Sequence, residues 1–231
     1  MNILALETSD KSGSVALFHQ NRLIGQRQLP ADQRSAQGLV PVIREMLSTA
    51  GWQPNTPRLV AITVGPGSFT GLRIGVATAK VLAYATAAEV MAVNTLDAIA
   101  LQAPLVGERL FVAMDAFRQE LFVATYERLE KPEGESFWER SEPAQLVGAE
   151  DWFKSLPAEA MVTGPALQKY SGSVKQPAMI VEKEYWNPSA TSVAQVAWRQ
   201  YQRGERTDLW GLVPLYLRKS AAEEKADAVT K

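Results

Sequence analysis

The sequence predicts an α/β protein of two related lobes, each built from a mixed sheet with flanking helices. Short apolar strands cluster near the start, where NILAL at 2–6 is closely followed by GSVALF and RLIGQRQL, as in an antiparallel meander. Helical patterns then alternate with apolar strands. Both halves also open with an apolar strand that ends in an acidic residue, Glu7 or Asp115, before a turn and a second strand.

The rest of the first half predicts alternating helices and strands. Residues 34–50 carry apolar side chains at helical spacing, and Gly51 follows as a C-terminal cap. Because Pro41 lies in this span, the helix either begins close to that residue or is kinked there. RLVAITV at 58–64 then predicts a buried strand, and a helix over 70–88 follows a glycine-rich loop.

The second half repeats the scheme less clearly. RLFVAMDA and ELFVATYE predict two strands joined by a tight turn. Residues 131–145 are polar and punctuated, which predicts a loop with at most one edge strand. A helix near 149–155, a strand over 160–164 and a longer helix in SATSVAQVAWRQYQRG complete the prediction.

These elements predict a division of the chain into two lobes and a tail. The first lobe is expected over 1–103 and the second over 104–218, with its last helix packing back on the first lobe. Residues 219–231 consist of Lys219 followed by SAAEEKADAVTK, and they show no apolar periodicity. We therefore expect a disordered tail there.

Composition excludes several classes of function. The net charge is −1, so the composition holds no electrostatic footprint for nucleic acid. The chain has no cysteine and one histidine, His19, which excludes disulfides, thiolate sites and any mechanism that needs paired imidazoles. The start MNILALETS has no basic segment and no apolar span of membrane length, so we expect a cytoplasmic protein with no membrane partner.

The loop GPGSFTGLRIG at 65–75 raises the question of a phosphate cradle. A strand that ends in Gly-Pro-Gly before a helix brings backbone N–H groups and the helix dipole together. The loop lacks the Gly-Lys-Ser/Thr ending of a P-loop and the spacing of a dinucleotide fold. The other interpretation is structural, with Gly65 and Gly67 forming a sharp turn and Ser68 or Thr70 capping the helix.

The helix after this loop has a ridge of small residues and is apolar on nearly every side. The ridge recurs every four residues and lets another element approach closely; it consists of Gly71, Gly75, Ala79, Ala83 and Ala87. A large apolar face is seldom left exposed. The cover for this helix comes either from another element of the same chain or from a partner subunit, and the sequence leaves both open.

Four segments in order along the chain carry a resemblance to a known family. LALETS, GPGSFTGLRIG, MDAFRQELFVATYE and PLYLRKSAAEEK resemble the bacterial TsaB (YeaZ) family over roughly residues 1 to 220, with weaker agreement between about 130 and 185. The resemblance implies the two-lobed actin/sugar-kinase/Hsp70-like fold, with ribonuclease H-like lobes. It also implies a function in placing threonylcarbamoyl on the adenosine 3′ of the anticodon in tRNAs reading codons that begin with A.

The resemblance implies a non-catalytic subunit that binds the catalytic paralogue TsaD and the ATPase TsaE. TsaD-type proteins carry two metal-binding histidines on a first-lobe helix, and the matching stretch NTLDAIALQA contains none. We therefore expect no catalytic residue, metal or cofactor on this chain, with ATP and metal held by partner subunits and tRNA bound mainly through the complex. Glu7 and Asp115 match the nucleotide motifs of the fold only weakly.

Two groups of residues are implied as sites. The family pairs with TsaD, or with itself when alone, through the first-lobe helices at 34–50 and 70–88. On this chain the predicted partner interface consists of Leu39, Val42, Ile43, Met46, Leu72, Gly75, Val76 and Ala79. The predicted weak anion or nucleotide site consists of Glu7, Thr8, Gly65, Gly67 and Ser68.

Two enzymatic alternatives compete with the scaffold interpretation. A small phosphotransferase or ATPase of the same fold would bind phosphates at Gly65, Gly67 and Ser68, with Glu7 or Asp115 on a magnesium ion. A serine peptidase would have to recruit His19, the single histidine, beside a strand turn. The poor second nucleotide motif argues against the first alternative, and the position of the histidine argues against the second.

Overall fold

A computed structural model describes residues 1–10, 12–30, 35–130, 134–175 and 177–218. It contains two mixed sheets with helices packed on their faces. The predicted tail at 219–231 lies outside the described residues. Residue 34, at which the first helix was predicted to begin, also lies outside them.

The first sheet has five strands in the order β3-β2-β1-β4-β5. Its strands are β1 (Asn2–Glu7), β2 (Ser14–His19), β3 (Arg22–Gln28), β4 (Leu59–Gly65) and β5 (Glu89–Asn94). The first three strands pair antiparallel, and β4 and β5 are parallel to β1. The predicted meander and the apolar strand at 58–64 are therefore confirmed.

The second sheet repeats this topology. Its strands are β6 (Arg109–Asp115), β7 (Glu120–Glu130), β8 (Ser136–Arg140), β9 (Gln145–Gly148), β10 (Met161–Thr163) and β11 (Met179–Ile180). The order β8-β7-β6-β10-β11, with two antiparallel and two parallel pairings, matches the first sheet strand for strand, and β9 adds to β7. The two related lobes predicted from the acidic strand ends are present.

Within the described part of the chain, six α-helices connect and cover the sheets. They are α1 (Ser35–Thr49), α2 (Phe69–Thr86), α3 (Thr95–Ala100), α4 (Ala149–Ser155), α5 (Leu167–Tyr170) and α6 (Ala190–Gln202), and short 3-10 turns occur at Ser171–Ser173 and Lys183–Tyr185. Local signals place their starts. Ser68 caps α2, Asn94 caps α3 and Ser189 forms a capping box on α6.

The first sheet is covered on both faces. One apolar cluster joins it to α1 and α2. The other joins it to α3 and α6, where Ala190, Ala194 and Ala197 are fully buried and their small side chains let α6 approach the strands closely. The helix α6 thus follows the second sheet in sequence and packs on the first. The predicted lobe boundary at 103–104 lies between α3 and β6 and remains a prediction.

The structure settles two details of the predicted secondary structure. Pro41 lies inside α1, which begins at Ser35, so the helix does not start close to the proline. The edge strand predicted within the polar stretch at 131–145 is confirmed as β8, which extends the sheet beyond β7. The strand β9 begins at the last residue of that stretch, Gln145. Three of the five residues of β8 are polar, and this weakens the alternation that identifies a strand from sequence.

Residues 207–218, which we call the C-terminal segment, run without helix or strand along α2. The Lys80 ammonium donates to the carbonyls of Trp210 and Leu212, at 3.0 and 3.3 Å. The Leu215 N–H donates to the Val64 carbonyl of β4 at 2.7 Å. At its end, the Arg218 guanidinium donates to the Ala116 carbonyl and the Glu120 carboxylate of the second lobe. The segment therefore connects α2 to both sheets through hydrogen bonds.

This segment supplies part of the cover that α2 requires. Leu212 is only 3% exposed and belongs to the same apolar cluster as Val76, Ala79 and Ala83 of α2. Except for Ala87, which is exposed at the end of the helix, the small-residue ridge is therefore buried inside the chain, against the sheet and the C-terminal segment. The sequence left open whether another element of the same chain or a partner subunit covers this face of α2. In the structure, an element of the same chain covers it.

Among the described residues, no helix is both long enough and apolar enough to cross a membrane.

The packing of the C-terminal segment predicts that truncating two adjacent side chains, Leu212 and Val213, has different effects on the free energy of unfolding. Leu212→Ala should lower the free energy of unfolding by about 3 kcal/mol, because it opens a cavity in the cluster under α2. Val213→Ala is the matched control, since Val213 is 65% exposed, and its effect should stay within about 0.5 kcal/mol. Urea unfolding followed by circular dichroism measures both. Equal effects would mean that the segment does not belong to the folded core.

Candidate functional site

The glycine loop packs directly against the turn between β1 and β2. The Ser68 N–H donates to the Ser9 carbonyl at 2.7 Å. A Cβ atom on Gly67 would lie 2.5 Å from that same carbonyl oxygen and 2.7 Å from the Ser9 Cβ, closer than real contacts allow. Gly67 is thus required by the close approach of the Ser9 turn. The loop is therefore in direct contact with another part of the chain at Gly67 and Ser68.

The start of α2 is equally close to this turn. A Cβ on Gly71 would lie 2.0 Å from the Thr8 carbonyl oxygen, and one on Gly75 would lie 2.1 Å from the Thr8 Oγ1. The Gly71 N–H donates to the Ser68 Oγ at 3.3 Å, which confirms the capping interpretation of Ser68. The spacing of Gly71 and Gly75 therefore lets one turn of the chain lie against the first turns of a helix.

Glu7 is the buried acidic group of this region. Its Oε1 accepts hydrogen bonds from the Ser9 N–H at 2.6 Å and from the Ser9 hydroxyl at 2.5 Å. Its Oε2 is buried and has no partner among the described residues. Burial raises the pKa of the Glu7 carboxyl to about 7, against the lowering effect of the Ser9 hydrogen bonds. The group is therefore close to half-protonated at neutral pH.

The five residues predicted as an anion site do not form an open site together. Glu7 and Thr8 are fully buried and Gly65 is buried beneath the C-terminal segment, where its Cβ position lies 2.8 Å from the Leu215 carbonyl oxygen. These three residues therefore lie out of reach of an anion in this structure, and the weak anion site stays a prediction. Gly67 is partly exposed and Ser68 is exposed. However, the Ser68 N–H already donates a hydrogen bond to the Ser9 carbonyl.

The corresponding turn of the second lobe is also occupied by its own contacts. Asp115 at the end of β6 accepts from the Phe117 N–H at 3.0 Å, and its other oxygen lies 3.7 Å from the Lys169 ammonium. The turn residues Phe117, Arg118 and Gln119 all have left-handed backbone angles, with φ of 60, 52 and 60°, which is unusual for residues other than glycine. Asp115 thus orders a tight turn.

The residues present do not fit a metal centre. Across the described ranges, no group of three or more histidine, aspartate or glutamate side chains lies close enough to hold an ion. In α3, the polar side chain that could ligate is Asp97, and it instead accepts a hydrogen bond from the Tyr126 hydroxyl at 2.7 Å. Glu7 and Asp115, the magnesium ligands of the phosphotransferase alternative, belong to different sheets and have the partners described above.

His19 does not sit in the setting that a peptidase requires. It lies at the exposed end of β2, and its Nδ1 pairs with the Asn2 Oδ1 at 2.7 Å. A serine peptidase needs a serine hydroxyl within hydrogen-bond reach of the imidazole, and the ring partner recorded here is an amide.

The eight residues predicted to face a partner are buried inside the chain. Leu39, Val42, Ile43 and Met46 of α1 and Leu72, Gly75, Val76 and Ala79 of α2 are each less than a tenth exposed. Most of them belong to the cluster between the first sheet and its two helices. In the single chain these side chains therefore pack inward, and the predicted partner interface stays a prediction. An apolar stripe at helical spacing marks a buried face, and the chain's own sheet buries this one.

A different set of side chains on the same helices is exposed and apolar. The outer patch, as we call it, consists of Val40 of α1, Phe69, Val81 and Tyr84 of α2, and Trp210, Val213 and Tyr216 of the C-terminal segment, which are 40 to 71% exposed. Aromatic contacts connect α2 to the segment, with ring centroids 5.7 Å apart for Tyr84 and Trp210 and 5.1 Å apart for Phe69 and Tyr216. The sequence pattern did not identify it, because these residues interrupt the apolar periodicity.

Comparison with known protein families identifies relatives that match most of the chain. A family model described as TsaD, tRNA N6-adenosine threonylcarbamoyltransferase, matches residues 29–145, which is 117 of 231 residues. The tRNA threonylcarbamoyladenosine biosynthesis protein TsaB of Escherichia coli is 27% identical over 97% of this chain and 98% of its own length. The protein of the same name from Bacillus subtilis is 25% identical over 97% of each chain.

Solved structures agree with these relatives. YeaZ from Pseudomonas aeruginosa has a TM-score of 0.78 and 26% sequence identity, and the match covers 94% of this chain and 99% of that one. A second structure from that organism, with the same score, is described as an uncharacterized protein with similarity to peptidase YEAZ. The repeated sheet order and this likeness confirm the two-lobed actin/sugar-kinase/Hsp70-like fold with ribonuclease H-like lobes.

The contact between α2 and the Ser9 turn predicts a strong effect of one methyl group. Gly71→Ala should lower the free energy of unfolding by about 3 kcal/mol or more, because the new Cβ meets a backbone carbonyl that cannot rotate away. Gly172→Ala is the matched control, since no atom lies within 4 Å of its Cβ position, and it should change stability by less than about 1 kcal/mol. Chemical unfolding of both variants checks this. A tolerated Gly71→Ala would show that the turn and helix are further apart.

The raised pKa of Glu7 predicts a pH-dependent stability. Because the folded state holds this proton more tightly than the unfolded state, the contribution of Glu7 is fully present below pH 4.5 and declines as pH rises to about 7. Relative to wild type, Glu7→Gln should gain about 3 kcal/mol between these two pH values. Urea unfolding from pH 4.5 to 8 measures the difference.

The control for this experiment is Glu159→Gln, which removes an exposed carboxyl and is measured over the same pH range. A difference between Glu7→Gln and wild type that stays constant with pH would mean that the folded state holds the Glu7 proton no more tightly than the unfolded state.

Proposed function

This chain belongs to the TsaD family and, within it, to the TsaB (YeaZ) group, and we propose that it is a non-catalytic scaffold subunit of tRNA threonylcarbamoyladenosine biosynthesis. In this proposal it binds and activates a TsaD-type catalytic paralogue, which modifies the adenosine 3′ of the anticodon in tRNAs reading codons that begin with A. The subunit orders its partner and performs no bond chemistry. The family membership rests on the matched residues 29–145 and on the full-length TsaB relatives.

The observation that carries the non-catalytic part is the packing of the Ser9 turn against the glycine loop. A phosphotransferase of this fold needs free backbone N–H groups and a reachable carboxylate at that place. Here the Ser68 N–H is bound to the Ser9 carbonyl, and the Glu7 carboxyl is buried with a raised pKa. An ATPase activity of the isolated chain therefore has less support than the scaffold role.

The outer patch supports the partner-binding part. It lies on α2 and the C-terminal segment, and exposed aromatic side chains such as Tyr84 and Trp210 are the residue types that dominate protein interfaces. The Tyr84–Trp210 and Phe69–Tyr216 pairs hold this surface in a fixed shape, and a rigid surface loses little entropy on binding. We place the TsaD-type partner on this face and expect a second copy of the chain there when the partner is absent.

The remaining components follow from the same assignment. ATP and the metal ion bind on partner subunits, among them a TsaE-type ATPase. The tRNA is held mainly through the assembled complex, which agrees with a net charge of −1 on this chain.

The proposal is tested by size-exclusion chromatography with light scattering on the chain alone and mixed with its TsaD-type paralogue. A homodimer that exchanges into a one-to-one heterodimer is expected. A chain whose mass does not change when the paralogue is added would overturn the scaffold role.

The position of the interface is tested by a pair of valine variants. Val81→Glu places a charge in the outer patch and should weaken heterodimer formation at least about tenfold, because the carboxylate loses its water on binding. Val106→Glu is the control, since Val106 is also exposed but lies in the loop before β6. Unchanged pairing by Val81→Glu would refute this face while leaving the scaffold role standing.

A further inference from the structure

A polar cavity lies where the second sheet meets α3 and α6. Its volume is about 210 Å³, and it is open to solvent on one side. Asp97 and Leu101 line it from the α3 region, Arg199 and Arg203 from α6, and Tyr126 and Phe137 from β7 and β8. Residues from both halves of the chain build its walls, and it is separate from the glycine loop and the outer patch.

Asp97 provides an acceptor at the cavity. Its Oδ1 accepts from the Tyr126 hydroxyl at 2.7 Å and lies 3.7 Å from the Arg140 Nε. Its Oδ2 accepts no hydrogen bond within the described part of the chain, although the carboxylate is only 21% exposed. Burial raises the pKa of Asp97 against the opposing effect of Arg140, so a cation or donor that reached Oδ2 would replace lost hydration.

Arg199 provides a cation without an acceptor. Two other arginines of the cavity are paired, Arg140 with Asp97 and Arg203 with Glu139 at 3.2 Å. The guanidinium of Arg199 is partly buried on α6, and no carboxylate or carbonyl of the described ranges accepts from it. A partly buried guanidinium of this kind favours a carboxylate ligand, which it can bind through two parallel hydrogen bonds.

The size of the cavity limits what can bind. A cavity of about 210 Å³ lies below the range of roughly 300 to 1,000 Å³ that is typical of sites for drug-sized ligands. It therefore suits a molecule of the size of a free amino acid better than a nucleotide. Phe137 and Trp138 add an aromatic wall that suits a short side chain.

We propose that this cavity is a binding site for a small zwitterion of the α-amino acid class. The Asp97 carboxylate holds the ammonium group of the ligand, with the Glu205 carboxylate also in the cavity wall, and Arg199 holds the carboxylate group of the ligand. The inference does not rest on the proposed function, since it uses neither the outer patch nor a partner subunit.

The test is isothermal titration calorimetry of the full chain with a panel of free amino acids. At least one amino acid should bind with a dissociation constant of about 10 mM or tighter. Propionate and ethylamine, each of which carries one of the two charges, should bind at least about tenfold more weakly. The fluorescence of Trp138 in the cavity wall offers a second readout.

Two variants and a control test whether binding takes place in this cavity. Arg199→Gln and Asp97→Asn should each weaken binding at least about tenfold, whereas Arg22→Gln, at an exposed arginine of β3, should leave binding unchanged. Because Asp97→Asn also disturbs the Tyr126 hydrogen bond, the Arg199→Gln result decides if that variant unfolds. Absence of binding by the whole panel, equal binding of propionate or ethylamine, or full binding by Arg199→Gln would overturn the proposal.

Discussion

The close packing of the Ser9 turn against the start of α2 is the constraint on which the first lobe depends. The turn, the loop and the helix meet with distances that exclude even a methyl group at Gly67, Gly71 and Gly75. Because β1 and α2 are brought together here, the ridge of small residues on α2 lies against the sheet. The glycines that resemble a phosphate cradle in the sequence therefore serve contact between two parts of the same chain.

This packing decides which surfaces remain for function. The inner faces of α1 and α2 are used by the core, and the C-terminal segment covers a further strip of α2 through Leu212 and the Lys80 hydrogen bonds. What remains on the outside is an aromatic surface shared by the helix and the segment. In this chain the loop region is closed and the outer face is apolar, which agrees with the binding role proposed above.

Much of the fold could be predicted from the sequence because local signals were strong. The meander, the strand before the glycine loop and the cap at Ser68 follow from apolar alternation and capping chemistry. The site could be predicted less well. Apolar periodicity shows that Leu39 or Val76 is buried but does not distinguish the chain's own sheet from a partner. The C-terminal segment has no periodicity at all, and its contacts with Val64 and Glu120 join residues far apart in sequence.

Titration of the isolated chain with magnesium ATP by calorimetry tests the central claim most directly. If the Ser9 turn fills the place of a phosphate cradle, no saturable binding should be seen at nucleotide concentrations up to about 1 mM. Stoichiometric binding in the micromolar range would contradict the account, since it would require the turn to move away from Gly67 and Gly71 and would return the chain to the nucleotide-using members of its fold.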